Sequence, residues 1–200
     1  MINGSNFVLK TVKDKNFDSL YDILCNVSNK GNYWPKEIPS YINLKKDFQQ
    51  NGLWSKDNGW LLIIPGNQIL DSIDREINNR IQGNHQELVQ NVSSERIIGL
   101  MRFFKSVPYF NALEIAYILF EEKFKRKGII SEALKLLVSY LINTTQINRF
   151  ELRIDKDNIA SQRVAEKNGF VFEGLCRKSN FINGKHVDMK LYSLLREEFK

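Results

Sequence analysis

Histidine and cysteine are almost missing from this chain: two of each in 200 residues. Cys25 and Cys176 cannot build a disulfide framework. No Cys-x-x-Cys pair occurs, which excludes the common structural zinc spacing, and no metal is expected. His85 and His186 leave few places for a histidine-based triad, and both read as ordinary surface residues. No apolar run reaches the roughly 18 residues of a membrane span, so none is expected to cross a bilayer. The opening stretch MINGSNFVLKTVKDKN lacks the apolar core of a secretory signal, which makes the cytoplasm the expected compartment. Internal repeats and inter-domain linkers are also lacking.

What is present is ordinary globular composition, 42% hydrophobic and 26% charged. The length suits one domain over residues 1–200 with its own core. Positive charge is unevenly placed. Residues 1–120 carry 13 Lys+Arg against 12 Asp+Glu, whereas residues 121–200 carry 16 against 11. A basic C-terminal part suits an anionic partner, either nucleic acid or a small phosphorylated ligand, although a solvated basic surface fits equally well.

Periodicity predicts a strand at 7–12, a helix at 16–28, a loop at 29–40 and a second helix at 42–51. A buried strand follows at 59–64, stopped by Pro65-Gly66. The Asn- and Gln-rich stretch 66–94 reads as a polar, partly helical insertion, with Leu70, Ile73, Ile77 and Ile81 on one helical face. Further strands are predicted at 96–107, 112–120 and 148–155, with helices at 128–143 and 158–168. The last two strands, 170–177 and 185–195, flank a loop at 179–184. The fold class is therefore mixed α/β with a mostly antiparallel sheet.

The sharpest local feature is Lys125-Arg126-Lys127-Gly128-Ile129-Ile130-Ser131-Glu132-Ala133, after a strand and opening a helix. Helix N-terminal amides lack internal partners and favour an anion, and Gly128 allows close backbone approach. The segment suits a pyrophosphate, and it equally suits an ordinary helix after a solvated basic run. Neither the Walker spacing nor the dinucleotide fingerprint is present.

Four neighbouring motifs bear on that choice. Glu114-Ile115-Ala116-Tyr117-Ile118-Leu119-Phe120 leads into the loop. Asp157-Asn158-Ile159-Ala160-Ser161 precedes Glu166-Lys167-Asn168-Gly169-Phe170, and Phe181-Ile182-Asn183-Gly184 is followed by Asp188 and Tyr192. With these, residues 96–198 resemble the GNAT superfamily of acetyl-coenzyme A-dependent N-acetyltransferases, and most closely its ribosomal-protein-alanine N-acetyltransferase branch. The resemblance implies a GNAT-like fold in which two parallel strands, about 112–120 and 148–155, splay apart to admit acetyl-CoA. The pantetheine arm is then expected on backbone groups of Ile118, Leu119 and Phe120, with Asn158 bonding the arm. The pyrophosphate is expected on Arg126, Lys127, Gly128, Ile129, Ile130 and Ser131. Lys125, Arg163 and Lys167 are candidate cations for the 3′-phosphate. One departure from the family pattern is Ile130, where Gly or Ala is usual, and its bulk is expected to crowd the pyrophosphate.

The same resemblance makes Glu114 the candidate general base; its alternative is an ion pair with a surface cation. The usual tyrosine acid is replaced by Ala165, which leaves Ser161 as candidate acid, against a purely local hydrogen bond in its helix. Tyr33 and Trp34 lie in the loop that walls the acceptor site in the family, together with Pro35 and Pro39. The expected acceptor is a primary amine, first a protein N-terminal amine. The alternatives are a small-molecule amine (amino sugar, aminoglycoside or polyamine) and a non-catalytic coenzyme A-binding module. No membrane or nucleic-acid partner is expected, and the chain is expected to be a monomer or homodimer.

Overall fold

The computed structural model describes residues 1–80 and 96–200. Eight strands form one sheet: β1 (Ile2–Asn3), β2 (Phe7–Thr11), β3 (Asn58–Pro65), β4 (Gly99–Phe104), β5 (Ala112–Leu119), β6 (Arg149–Asp155), β7 (Val171–Ile182) and β8 (Lys185–Leu195). Their spatial order is β1-β2-β3-β4-β5-β6-β8-β7. All neighbours are antiparallel except β5 and β6. The helices are α1 (Asp14–Cys25), α2 (Tyr41–Asn51), α3 (Asn67–Arg80), α4 (Ile129–Thr144) and α5 (Ile159–Lys167). The expected order of elements is recovered, with β1 added at the edge.

The strand period of two splits the apolar residues between two faces. Leu61, Ile63, Met101, Phe103, Leu113, Ile115, Phe150, Leu152 and Ile154 share one core with Ala133, Leu134, Leu137, Val138 and Leu141 of α4. Trp60, Leu62, Ile64 and Leu100 point the other way, into a smaller core with Phe17, Leu20 and Leu24 of α1 and Leu44 and Phe48 of α2. Local chemistry fixes the helix ends. Ser40 Oγ accepts from Asn43 N at 3.4 Å to start α2, and Gly52, in the left-handed region at φ 66°, closes it by donating to Phe48 O.

One expectation is corrected by the course of β7. The loop placed at 179–184 is only a tight turn at Asn183 and Gly184, because β7 continues to Ile182. An irregularity between Cys176 and Asn180 breaks the alternation that would have shown the longer strand; there Lys178 takes φ 50° and donates its N–H to Asp188. In the insertion, helix α3 covers Asn67–Arg80, and its core contact is made first by buried Ile69, with Leu70 half-buried beside it. Ile81, His85 and the predicted polar loop lie outside the described residues.

Candidate active site

β5 and β6 are hydrogen-bonded over three positions only, from Ala112↔Arg149 to Glu114↔Glu151. Beyond Glu114, β5 runs on to Leu119 against β4, while β6 runs on to Asp155 against β8. The result is a gap with unpaired backbone on one side. Which β5 groups face it follows from the antiparallel alternation. Lys105 N donates to Asp57 O and Phe120 N to Ile98 O, which puts Ile118 and Ala116 in the hydrogen-bonded positions toward β4. Tyr117 and Leu119 therefore present their amide and carbonyl to the gap. Of the three residues expected to offer backbone there, Leu119 does; Ile118 and Phe120 turn back on β4, and Tyr117 takes the missing place.

At the mouth of the gap lies the N-terminus of α4. Its first internal bond is Glu132 N to Gly128 O, so the amides of Ile129, Ile130 and Ser131 precede the helical ladder. Gly128 sits at φ 78°, and a Cβ there would meet nothing within 4 Å. The open space faces outward, where an anion would approach. Ile130 does not fill it: its side chain is half-buried against the main core, which corrects the expectation that it crowds this loop. The helix rotation that buries Ile129 and Ala133 carries Ile130 inward with them. The acidic Glu132 is also tied away, accepting from Ser5 N at 2.6 Å and Ser5 Oγ at 2.7 Å. Arg126, Arg163 and Lys167 are exposed, whereas Lys125 is already paired with Glu122.

Helix α5 borders the gap. Asn158 caps it, its Oδ1 accepting from Ser161 N at 3.1 Å. The Ser161 carbonyl accepts from the Tyr117 hydroxyl at 3.4 Å, across the gap from β5. Burial drives the Tyr117 pKa far up, so the phenol stays protonated. The Ser161 side chain also lies beside the Tyr117 hydroxyl, as a hydrogen-bond neighbour that opposes the rise caused by burial. Ala165 is fully buried.

On the opposite face of β5 lies a cavity of about 620 Å³. Tyr33, Trp34, Pro35 and Pro39 form one wall, and Arg102, Glu114, Ala116 and Arg153 form the floor. Tyr33 is held there by donating its hydroxyl to Asp157 O at 3.1 Å. The Glu114 side chain is only 15% exposed and is paired with Arg153, which also reaches Glu151 at 3.3 Å. Burial raises the Glu114 pKa above the ordinary glutamate value, and Arg153 opposes that rise without cancelling it. The cation partner considered for this residue is therefore present, beside a carboxyl whose pKa burial raises. Cys176, half-buried, also lines the cavity; Cys25 is half-buried at the end of α1; exposed His186 stands edge-on to Phe181.

The sequence reading missed Arg102, Arg153, Lys30 and Tyr117. A signal existed for the arginines: each is a charge on a short strand otherwise apolar on its other face, in GLMRFF and FELRID. Such a charge seldom stays without a local role.

Comparison with known proteins follows this geometry. The acetyltransferase (GNAT) domain family matches residues 8–171. Ribosomal-protein-serine acetyltransferase of Escherichia coli is 24% identical over 92% of this chain and 90% of its own length. Among solved structures, a ribosomal-protein alpha-N-acetyltransferase in complex with coenzyme A superposes with a TM-score of 0.70 at 22% identity, covering 96% of this chain and 95% of that one. Spermidine N-acetyltransferase of Vibrio cholerae, in complex with coenzyme A and spermine, gives 0.72 at 16% identity, covering 98% of each. The splayed strand pair and the uncapped helix after it thus have a family to which they belong, and with a family match across most of its length this chain is a member of the GNAT acetyltransferases.

Proposed function

We propose that the chain transfers the acetyl group of acetyl-CoA to a primary amine held in the Tyr33–Trp34 cavity, the acceptor being a protein or peptide N-terminal amine. The observation that carries this reading is the end of β5–β6 pairing at Glu114. It opens a gap whose floor is the Leu119 and Tyr117 backbone, whose mouth is the free α4 N-terminus, and whose other side meets the cavity. The donor fits these residues: the outward space at Gly128 and the amides of Ile129, Ile130 and Ser131 suit its pyrophosphate, and the Asn158 Nδ2 is left over after the cap bond to meet the pantetheine arm. Arg126 and Lys127 supply positive charge beside it, and Lys125, Arg163 and Lys167 stand nearby for the 3′-phosphate.

The donor supplies an activated thioester. The chain must supply a neutral amine, an oxyanion donor and a proton for the departing thiolate. A free α-amino group has a pKa of about 8, so part of it is neutral near pH 7 and a modest base is enough. Glu114, with its raised pKa, takes the amine proton as nitrogen bonds to carbon. An amide facing the gap at Leu119 is placed to bond the oxyanion. As the carbon–sulfur bond breaks, Ser161 Oγ hands its proton to sulfur and takes one back from solvent, while Glu114 gives up the amine proton to solvent before the next turnover. Tyr33 and Trp34 hold the acceptor backbone. A small-molecule amine is the second reading, favoured by the likeness to the spermidine enzyme fold.

Calorimetric titration with acetyl-CoA, beside Gly128→Glu, tests the donor site. Micromolar binding weakened at least about tenfold by the variant is expected, since the new carboxylate faces the anion and strains the left-handed backbone. No binding by the native chain would sink the reading.

A further inference from the structure

Among the described residues, two cations of the cavity have no carboxylate in ion-pair contact. Arg102 stands on β4 among apolar neighbours, its guanidinium 4.2 Å from the Trp60 ring centroid and 5.5 Å from that of Phe104. Its Nε is sealed from solvent without an acceptor, and among the described residues none of its nitrogens has a hydrogen-bond or ion partner. Lys30 is only 4% exposed, and its ammonium donates to the Glu37 backbone carbonyl rather than to an acid. The other charges of the lining form no ion pair with Arg102 or Lys30, although Glu37 acts on Lys30 from a distance. Glu114 and Glu151 are taken by Arg153, and the Glu37 side chain is exposed. A half-buried guanidinium with a sealed, unpartnered Nε is costly in a folded chain, and the cost falls if a ligand brings the counter-charge.

We infer that Arg102 recognises an anionic group, a carboxylate in the first instance, on the amine acceptor, so that the acceptors of this chain are acidic peptide N-termini. The inference rests on the reading that the cavity holds the acceptor amine. Geometry supplies the distance. Arg102 lies opposite Ala116 in the β4–β5 register, and Glu114 lies opposite Phe104, so Arg102 and Glu114 are diagonal neighbours on one face. That places them about 7–8 Å apart at the backbone. With consecutive Cα atoms about 3.8 Å apart, an amine at Glu114 puts the side chain of the second or third residue within reach of Arg102. The aromatic rings of Trp60 and Phe104 fix the guanidinium plane, which suits the two-point grip of a carboxylate. Burial lowers the Arg102 pKa, but an arginine remains charged, so the site stays cationic. A polyamine would bring further ammonium groups against Arg102 and Lys30.

The test is acetyl transfer, read as thiol release, by the full chain with Ala-Asp-Ala-Tyr amide, Ala-Ala-Asp-Tyr amide, their Asn and Lys counterparts, and spermidine. A charge-assisted hydrogen bond predicts kcat/KM at least about tenfold higher for an Asp peptide than for its Asn counterpart, with Lys peptides and spermidine lower still. Arg102→Met keeps the stem on Trp60 and is expected to collapse the Asp-to-Asn ratio to near one, mainly through KM; Arg102→Lys keeps part of it. Acetyl-CoA binding by each variant reports whether it has folded, and the native ratio decides the matter even if one has not. A native ratio of one or below, spermidine as the best acceptor, or a ratio that survives Arg102→Met overturns the anion assignment alone. Acetyl-CoA binding with no turnover of any acceptor overturns the acceptor reading of the cavity as well.

Discussion

The two faces of β5 and β6 are made by the same residues counted in alternation, yet they do opposite things. One face carries Leu113, Ile115, Phe150, Leu152 and Ile154, sealed beneath α4. The other carries Glu114, Ala116, Glu151 and Arg153, open to the cavity or paired in charge with one another. Burial on the first face is satisfied by apolar contact alone. On the second, every buried charge needs a partner, and the partners, Arg153 with Glu114 and Glu151, hold the titratable group in place. The lesson is that the apolar face fixes where the strands lie, while the polar face turns the end of their pairing into a site.

This contrast is open to attack from both sides. The largest effect on chemistry is expected from Glu114→Gln on the polar face. Turnover should fall about 100-fold or more, the usual worth of a general base, with acetyl-CoA affinity intact by calorimetry. Full turnover by that variant would remove Glu114 from the chemistry, and a native chain that binds without any turnover would be a binding module. The apolar face should answer in the other currency. Phe150→Ala is expected to lower stability by about 3–5 kcal/mol in chemical denaturation, with kcat per folded molecule unchanged. If its kcat falls with the protein still folded, the two faces are not separable.

The smallest effect sharpens the comparison. Arg153 lowers the Glu114 pKa that burial raises. Arg153→Gln removes the lowering contribution, so the carboxyl pKa rises further and the base loses its proton only at higher pH. The low-pH limb of the kcat profile should therefore move upward. A limb that stays fixed would assign it to another group.

Much of the fold was legible because its signals are local. The 3.6 period of Ala133, Leu134, Leu137 and Leu141 and the run GWLLII each report on neighbours in sequence. Gly128 before a helix was legible for the same reason, as was the Tyr33–Trp34 loop by likeness. The longer β7 was not, because its irregularity near Lys178 interrupts the alternation. Nor was the direction of Ile130, which depends on how α4 is rotated over the sheet.

By itself the sequence determined the order of strands and helices, the glycine that opens α4 and the family of the chain, since all three are written in short-range pattern. Only the tertiary structure decided that β5 and β6 part at Glu114, that Leu119 and Tyr117 rather than Ile118 and Phe120 face the gap, and that Arg153, 39 residues on, holds Glu114. Those facts depend on register between strands distant in the chain, and register is set by the packing of whole faces, which no local period records.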